Sequence, residues 1–224
     1  MRHPTVVIAP NSFKGSVSAT GAAAAISKGL KRIWSDAELR ICPMADGGEG
    51  TLDAVLSRGG RRGIRRVEGA SGAALDAAFG LIEDDAIAVI ESAQIVGLTD
   101  ASGTAAAVEQ RNTRGLGELI RTLLDAGIRR FMIGLGGSSS NDGGAGMLAA
   151  LGLKLVDAKG RDVEPTPGGL KALAQVDAST LDLRVTEAHI TIMSDVSNPL
   201  CGERGATPPF SGKRWVACAT TVLF

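Results

Sequence analysis

The sequence predicts an α/β fold, with largely parallel sheet(s) flanked by helices. Two observations predict this class. Short apolar segments rich in β-branched residues alternate with segments whose apolar residues recur at helical spacing. In addition, polar, glycine-rich loops follow four predicted strands, after Ala9, Ile41, Leu135 and Met193. Ligands gather beyond the carboxyl ends of strands in such sheets, so these four loops are the candidate site.

The first predicted unit is a strand, a loop and a helix. Thr5–Ala9 is apolar and β-branched, and Pro10 ends it. Ser18 is the expected N-cap of a helix with an apolar stripe formed by Ala22, Ile26, Leu30 and Ile33. A second short strand near Glu38–Ile41 leads into MADGGEGT, and TLDAVL is typical of a helix start.

The middle of the chain predicts a basic edge, a hairpin and a helix. The basic run Arg61–Arg66 predicts a solvated face or a strand edge, with an anion-binding role as the alternative. Ala77–Ile82 and Ala86–Glu91 flank Asp84 and predict a β-hairpin, although its turn lacks the preferred glycine. Gly115–Ala126 is helical by pattern, with five leucine and isoleucine residues on one face.

The segment Ile133–Met147, IGLGGSSSNDGGAGM, joins a predicted buried strand to a helix that Gly152 closes. Such a strand–turn–helix lets backbone N–H groups approach an anion closely, and serine hydroxyls can donate to the same anion. Asp142 in this segment can hold a divalent cation. The interpretation is phosphate binding, with a flexible surface loop as the alternative. The later segments Leu153–Val156 and His189–Met193 are predicted strands.

Composition narrows the function classes. The chain has 224 residues, 44% hydrophobic and 21% charged, with 24 basic and 24 acidic residues. Balanced charge and 3% aromatic residues argue against nucleic acid and anionic membranes as partners. No secretory or membrane-spanning segment is expected. Three widely spaced cysteines without metal-ligand spacing indicate a reducing, cytoplasmic setting.

Three further segments could carry chemistry, and each has a plain structural alternative. Lys14 in NSFKGS can neutralise phosphate, or it is a solvated lysine. Asp46 and Glu49 in MADGGEGT can bind a metal or substrate hydroxyls, or they complement a helix dipole. Asp195 in SDVSNPLCG, with Asn198 nearby, can take a proton or ligate magnesium, or it forms an Asx turn.

Other reactive residue types are not expected to be catalytic. His3 and His189 have no companions at ligand spacing. Ser138 and Ser139 do not lie in a G-x-S-x-G elbow, so a serine hydrolase is not supported.

Together these segments resemble the bacterial glycerate kinase family. The resemblance is carried by IAPNSFKGS (Ile8–Ser16), PMADGGEGT (Pro43–Thr51), IGLGGSSSNDGGAGML (Ile133–Leu148) and SDVSNPLCGERGA (Ser194–Ala206). ESAQIVGL (Glu91–Leu98) and NTRGLGELI (Asn112–Ile120) fit the same order and spacing. The resemblance implies ATP-dependent phosphorylation of D-glycerate to a phosphoglycerate with Mg²⁺, in a cleft between two α/β domains.

The resemblance also implies roles for individual residues. Lys14 would face phosphate or the glycerate carboxylate, and Asp195 would be the general base or a magnesium ligand. The substrate or phosphoryl site would be lined by Asp46, Glu49, Ser138, Ser139, Asn141 and Asn198, with Asp142 as a metal ligand. The oligomeric state is left open.

After Ala206 the likeness stops, and residues 207–224 are expected to be a divergent tail outside the native fold. The expectation is that residues 1–206 are the N-terminal portion of a kinase, spanning parts of two domains with a boundary near 62–110. A frame shift or a fragmentary gene would explain the tail. An alternative follows: a catalytically inactive fragment that only binds a small anionic ligand or a partner chain.

Overall fold

The computed structural model describes residues 4–13 and 16–195. Within them, a five-stranded sheet has the order β3-β4-β5-β6-β9, and two smaller sheets pair β1 with β2 and β7 with β8. The strands are β1 Thr5–Ile8, β2 Glu38–Ile41, β3 Arg61–Glu68, β4 Ala74–Ile82, β5 Ile87–Glu91, β6 Arg130–Gly134, β7 Lys154–Val156, β8 Gln175–Asp177 and β9 His189–Met193. The helices are α1 Ala19–Ile33, α2 Thr51–Leu56, α3 Ala93–Val96, α4 Ala101–Ala105, α5 Arg114–Asp125, α6 Ala145–Ala150 and α7 Arg184–Glu187.

The α/β class is confirmed, and the pairing of the strands is mixed. β1 runs parallel to β2, while β6 runs parallel to both β5 and β9. The pairs β3–β4 and β4–β5 are antiparallel, because short connections join them. The pair β7–β8 is also antiparallel, although residues 157–174 lie between its strands. The four strands that precede the glycine-rich loops, β1, β2, β6 and β9, are all in parallel pairs.

Helices cover both faces of the large sheet, and the alternation of side chains along the strands decides which face each residue joins. On one face Ile90, Phe131 and Ile133 pack in a core that includes the apolar stripe of α5. On the other face Val89 packs with Leu52 of α2. β5 is buried along its whole length, because it is covered on both sides.

The predicted helix of residues 115–126 corresponds to α5, and its apolar face is buried as expected. Ser18 caps α1, since its side chain accepts a hydrogen bond from the Gly21 N–H. The apolar stripe of α1 is less covered than its pattern suggests, because Ile26 and Ile33 are exposed.

The predicted hairpin joins β4 and β5, and its turn adopts positive φ at three residues without glycine. Glu83, Asp84 and Asp85 have φ of 51°, 55° and 67°. Ion pairs from Arg130 to Glu83 and from Arg61 to Asp85 hold this turn against the neighbouring strands. The basic run forms β3, one of the two edge strands of the five-stranded sheet, as its strand-edge interpretation predicted.

In the described residues no helix has both the length and the apolar character needed to cross a membrane. The predicted two-domain division and its boundary remain predictions. The divergent tail, residues 207–224, lies outside the described residues.

Candidate functional site

The four polar segments that follow β1, β2, β6 and β9 meet at one edge of the structure. Asn11, after β1, donates from Nδ2 to Oδ2 of Asp46, after β2, at 3.2 Å. The Gly136 N–H, after β6, donates to the carbonyl oxygen of Gly47 at 2.9 Å. The Leu135 N–H donates to the carbonyl oxygen of Met193, the last residue of β9, at 3.2 Å. The sequence-predicted convergence of these loops is therefore observed.

Glycine is needed where the loops touch. Gly47 has φ of 92°, and a Cβ atom there would overlap the carbonyl oxygen of Met193. At Gly136 a Cβ atom would meet the backbone of Gly48. We call the connection between β6 and α6, residues 135–144, the glycine–serine loop. Glycines in MADGGEGT and in this loop therefore let two backbones approach closely, which a side chain would prevent.

Glu91, the last residue of β5, lies beneath this meeting point and is 0% exposed. Its carboxylate accepts from the N–H groups of Gly50 at 3.2 Å and Leu52 at 2.9 Å, and from Gln94 Nε2 at 3.3 Å. The N-cap residue of α2 is Gly50, which has no side chain to cap the helix. Glu91 therefore accepts from the N–H groups that the first turn of α2 would otherwise leave unpaired. Sequence reasoning gave Glu91 no role. The available signal was an acidic residue ending a wholly apolar strand.

Asp142 lies in the glycine–serine loop, but its carboxylate is 2% exposed and bonded to protein donors. Oδ2 accepts from the Thr113 N–H at 2.8 Å, the Thr113 hydroxyl at 2.7 Å and the Gly146 N–H at 3.0 Å. Oδ1 accepts from the Gly144 N–H at 3.2 Å. These contacts tie the loop to the start of α5. A metal role for Asp142 stays a prediction, and its contacts favour positioning of the loop instead.

Arg111 is a second residue that sequence reasoning missed, and it is only 7% exposed. Its guanidinium donates to the carbonyl oxygens of Thr104, Ala106 and Ser139. No carboxylate pairs with it among the residues that the structure describes. A buried positive charge without a counter-ion therefore lies under the glycine–serine loop, where it favours an anion.

Ser139 adds a donor that is not used within the described protein. It is 1% exposed, and its hydroxyl has no hydrogen-bond partner in the structure. The Ser92 hydroxyl, just after β5, is also buried without a hydrogen-bond partner. Buried hydroxyls normally find a partner, and for these two enclosed groups a buried water would supply it. Ser138 and Asn141 are more accessible positions in the same loop.

The remaining predicted site residues divide into three groups. Asp46 is half-buried and bonded to Asn11 and to the Gly48 N–H. Glu49 and Asp195 are exposed at the meeting point of the loops. Lys14 and Asn198 lie outside the described residues. Among the described residues, no three histidine, cysteine or acidic side chains are grouped so as to hold a metal ion.

The comparisons agree on one family. The model described as the glycerate kinase family matches residues 6–214. A glycerate kinase from Bacillus subtilis is 44% identical over 215 residues, which are 93% of this chain and 55% of that protein. A glycerate kinase from Halalkalibacterium halodurans is 41% identical over 222 residues, 96% of this chain and 57% of that protein. A glycerate 2-kinase from Escherichia coli is 40% identical over 220 residues, and the alignment covers 97% of this chain and 57% of that protein.

A solved structure supports the same assignment. The chain superposes on a crystal structure from Salmonella typhimurium LT2, assigned as glycerate kinase 2, with a TM-score of 0.80 and 43% identity. The match covers 93% of this chain and 56% of that one. This chain thus spans little more than half the length of the relatives it matches. It belongs to the glycerate kinase family.

Proposed function

We propose that the protein acts in the ATP-dependent phosphorylation of D-glycerate to a phosphoglycerate, in the cytoplasm. The observation that carries the proposal is the convergence of the four loops after β1, β2, β6 and β9 at one edge. Phosphoryl transfer depends mainly on positioning and on stabilising charge, and a set of loops at strand ends supplies both.

The glycine–serine loop is the part of this edge best suited to an anion. The buried Arg111 charge lies beneath it, and the Ser138 side chain is exposed on it. A phosphate or carboxylate group bound at this loop would offset the buried charge. Ser138 and Asn141 would contact the same ligand from the exposed side of the loop.

Carboxylates suited to Mg²⁺ flank the same edge. Mg²⁺ in such enzymes is held by one or two carboxylates together with phosphate oxygens and water. Glu49 and Asp195 are exposed candidates, and Asp46 is a half-buried one that also accepts from Asn11 and the Gly48 N–H. Mg²⁺ bound with ATP would spread the charge of the transferred phosphoryl group. Asp195 would hold the proton of the attacking glycerate hydroxyl, and Lys14 would face an anionic group.

The second candidate function is binding without turnover, as a fragment that holds a small anionic ligand. This candidate is retained because the chain covers only 55% and 57% of the two relatives' lengths. The two candidates differ in one observable, which is turnover.

The experiment combines an enzyme assay with thermal unfolding. ADP release is measured with D-glycerate, ATP and Mg²⁺, and the melting temperature is measured with each ligand alone. Turnover that requires D-glycerate supports the kinase function. Stabilisation without turnover supports the binding candidate. If neither occurs, both proposals fail.

A matched pair of serine variants localises the effect. We expect Ser138→Ala to reduce the ligand-dependent stabilisation, because it deletes an exposed hydroxyl of the glycine–serine loop. Ser179→Ala, at an exposed serine far along the chain, makes the same chemical change and should leave ligand binding unchanged. Equal effects of the two variants would contradict the assignment of the anion to the glycine–serine loop.

A further inference from the structure

Three consecutive polar residues, Arg111, Asn112 and Thr113, are buried in the connection between the 3₁₀ helix Val108–Gln110 and α5. Each of them is at most 8% exposed. Buried polar side chains need partners, so a run of three indicates a connection fixed by many polar contacts. The contacts of Arg111 and Thr113 reach opposite halves of the glycine–serine loop.

This connection holds the loop from both ends. Thr113 holds the second half, because its N–H and its hydroxyl both donate to Asp142 Oδ2. Arg111 holds the first half, because its Nη1 donates to the carbonyl oxygen of Ser139 at 3.2 Å. The Ser139 N–H in turn donates to the carbonyl oxygen of Val96 at 2.7 Å. The peptide groups on both sides of Ser139 are therefore bonded to residues outside the loop.

Fixing these peptide groups decides where the neighbouring serine side chains point. Ser138 forms an isolated antiparallel β-bridge with Gly97, so this part of the loop is extended. Successive side chains of an extended segment point to opposite sides. Ser139 is accordingly buried, whereas Ser138 is exposed. Without its anchor at Ser139, the loop would be free to rotate these peptide groups and turn the Ser138 hydroxyl away from a ligand.

The other donors of Arg111 bind a second segment, the end of α4. Nη2 donates to the carbonyl oxygens of Thr104 at 2.8 Å and Ala106 at 2.9 Å, and Nε donates to that of Ala106 at 3.0 Å. One planar group therefore joins α4 to the glycine–serine loop through three different nitrogen atoms. A lysine would keep the charge but place a single nitrogen at one point, so it could not span both sets of carbonyl oxygens.

We propose that Arg111 is a positioning residue for the anion site. It joins α4 to the first half of the glycine–serine loop and thereby keeps the Ser138 hydroxyl turned outward, toward the ligand. The inference rests on the proposed function, because it concerns the anion that this function requires. It adds that the site depends on the hydrogen-bonding shape of the guanidinium and not on its charge alone.

The test compares the binding of inorganic phosphate by the original 224-residue protein and by Arg111→Lys, with isothermal titration calorimetry at constant ionic strength. We expect the lysine to weaken phosphate binding about tenfold although the charge is kept. The dissociation constant is measured where circular dichroism shows each protein fully folded, so a loss of stability alone would leave it unchanged.

The matched control is Arg129→Lys, which makes the same change at the opposite end of β6 from the loop. Arg129 also donates to backbone carbonyl oxygens, those of Leu124 and Ile128. We expect this control to leave phosphate binding unchanged. An equal loss in the two variants would show that the effect does not arise at the loop and would overturn the inference.

A second variant reaches the same contact without changing Arg111, and it also serves if Arg111→Lys does not fold. The Asp100 carboxylate caps α4, since it accepts from the N–H groups of Ser102 and Gly103 at 3.0 Å each. Asp100→Ala loosens the helix whose end Arg111 binds, so we expect weaker phosphate binding. Removing a negative charge would by itself strengthen the binding of an anion, so such a loss cannot be electrostatic. Combined with Arg111→Lys it should add no further loss, because both changes act through one contact.

The outcomes separate this inference from the proposed function. Phosphate binding that is unchanged in Arg111→Lys, or in Asp100→Ala, overturns the inference, and so does an original protein that binds no phosphate. Turnover is judged separately, by ADP release that depends on D-glycerate. Turnover together with variants that bind phosphate normally refutes this inference only. Phosphate binding that depends on Arg111, without turnover, refutes the kinase function only.

Discussion

The substitution Asp142→Asn separates a positioning role of this carboxylate from a metal-binding role. Asp142 is buried and accepts four hydrogen bonds, three of them on Oδ2. An asparagine can keep its oxygen at the Oδ2 position, but its NH₂ group then faces the Gly144 N–H, which is also a donor. The change therefore weakens three bonds and turns the fourth into a repulsive contact.

The expected cost follows from the type of each bond. A hydrogen bond to a charged acceptor contributes about 1.5–3 kcal/mol, and one between neutral groups about 0.5–1.5 kcal/mol. Removing the charge recovers part of the cost of burying a carboxylate, which offsets some of the loss. We expect Asp142→Asn to lower the free energy of unfolding by about 2–4 kcal/mol, a large share of ordinary protein stability.

The assay is urea unfolding at pH 7 followed by circular dichroism. The control is Asp76→Asn, which makes the same change at an exposed aspartate paired with Arg66. Exposed ion pairs contribute little, so the control should lie within about 1 kcal/mol of the original protein. If the two variants are equally stable, the positioning role of Asp142 is refuted.

A magnesium titration addresses the metal role directly. If Asp142 is chiefly a positioning residue, Mg²⁺ shifts the melting temperature of the original protein and of Asp142→Asn equally. A stabilisation by Mg²⁺ that disappears in the variant would favour the metal role and contradict our reasoning.

Three further predictions concern other contacts. Gly47→Ala should prevent folding or lower the free energy of unfolding by more than about 3 kcal/mol, because its Cβ would overlap the carbonyl oxygen of Met193. Gly160 also has a positive φ but has open space around it, so Gly160→Ala should lower the free energy of unfolding clearly less in the same urea assay. Glu91→Gln should speed amide exchange in the first turn of α2 about tenfold, equivalent to about 1.4 kcal/mol, and unchanged exchange would contradict its capping role. Hydrogen bonds from Arg184 lower the pKa of Asp182 in the folded protein. The stability that they contribute is therefore fully present above the unfolded pKa of about 3.9 and is lost as the pH falls through the folded pKa. The difference in melting temperature between the original protein and Asp182→Asn should therefore be largest at pH 7 and shrink below about pH 4, and a constant difference would argue against this ion pair.

Much of the fold follows from local patterns. The apolar face of α5, the serine cap of α1 and the hairpin at Asp84 were all predicted, because each depends on residues within one or two turns of chain. The positions of the polar loops at strand ends followed in the same way. The family was evident because its motifs are long and occur in order.

Other features depend on partners that are distant in the sequence. Glu91 caps residues 39 and 41 positions away, and Asp142 bonds to Thr113, 29 positions away. No local pattern distinguishes a carboxylate that holds a loop from one that faces a ligand. For the same reason the stripe of α1 predicted a helix without indicating that Ile33 is left exposed.

By itself, then, the sequence determined the α/β class, the four loops and the family, because periodicity, turn residues and motif order are local properties. The tertiary structure alone decided which acidic residues are occupied by protein donors and which remain accessible. It also decided that a buried arginine lies under the glycine–serine loop, and that Ile8 is buried whereas its partner Ile41 in the β1–β2 sheet is exposed. These are consequences of contacts between distant segments, which exist only once the chain is folded.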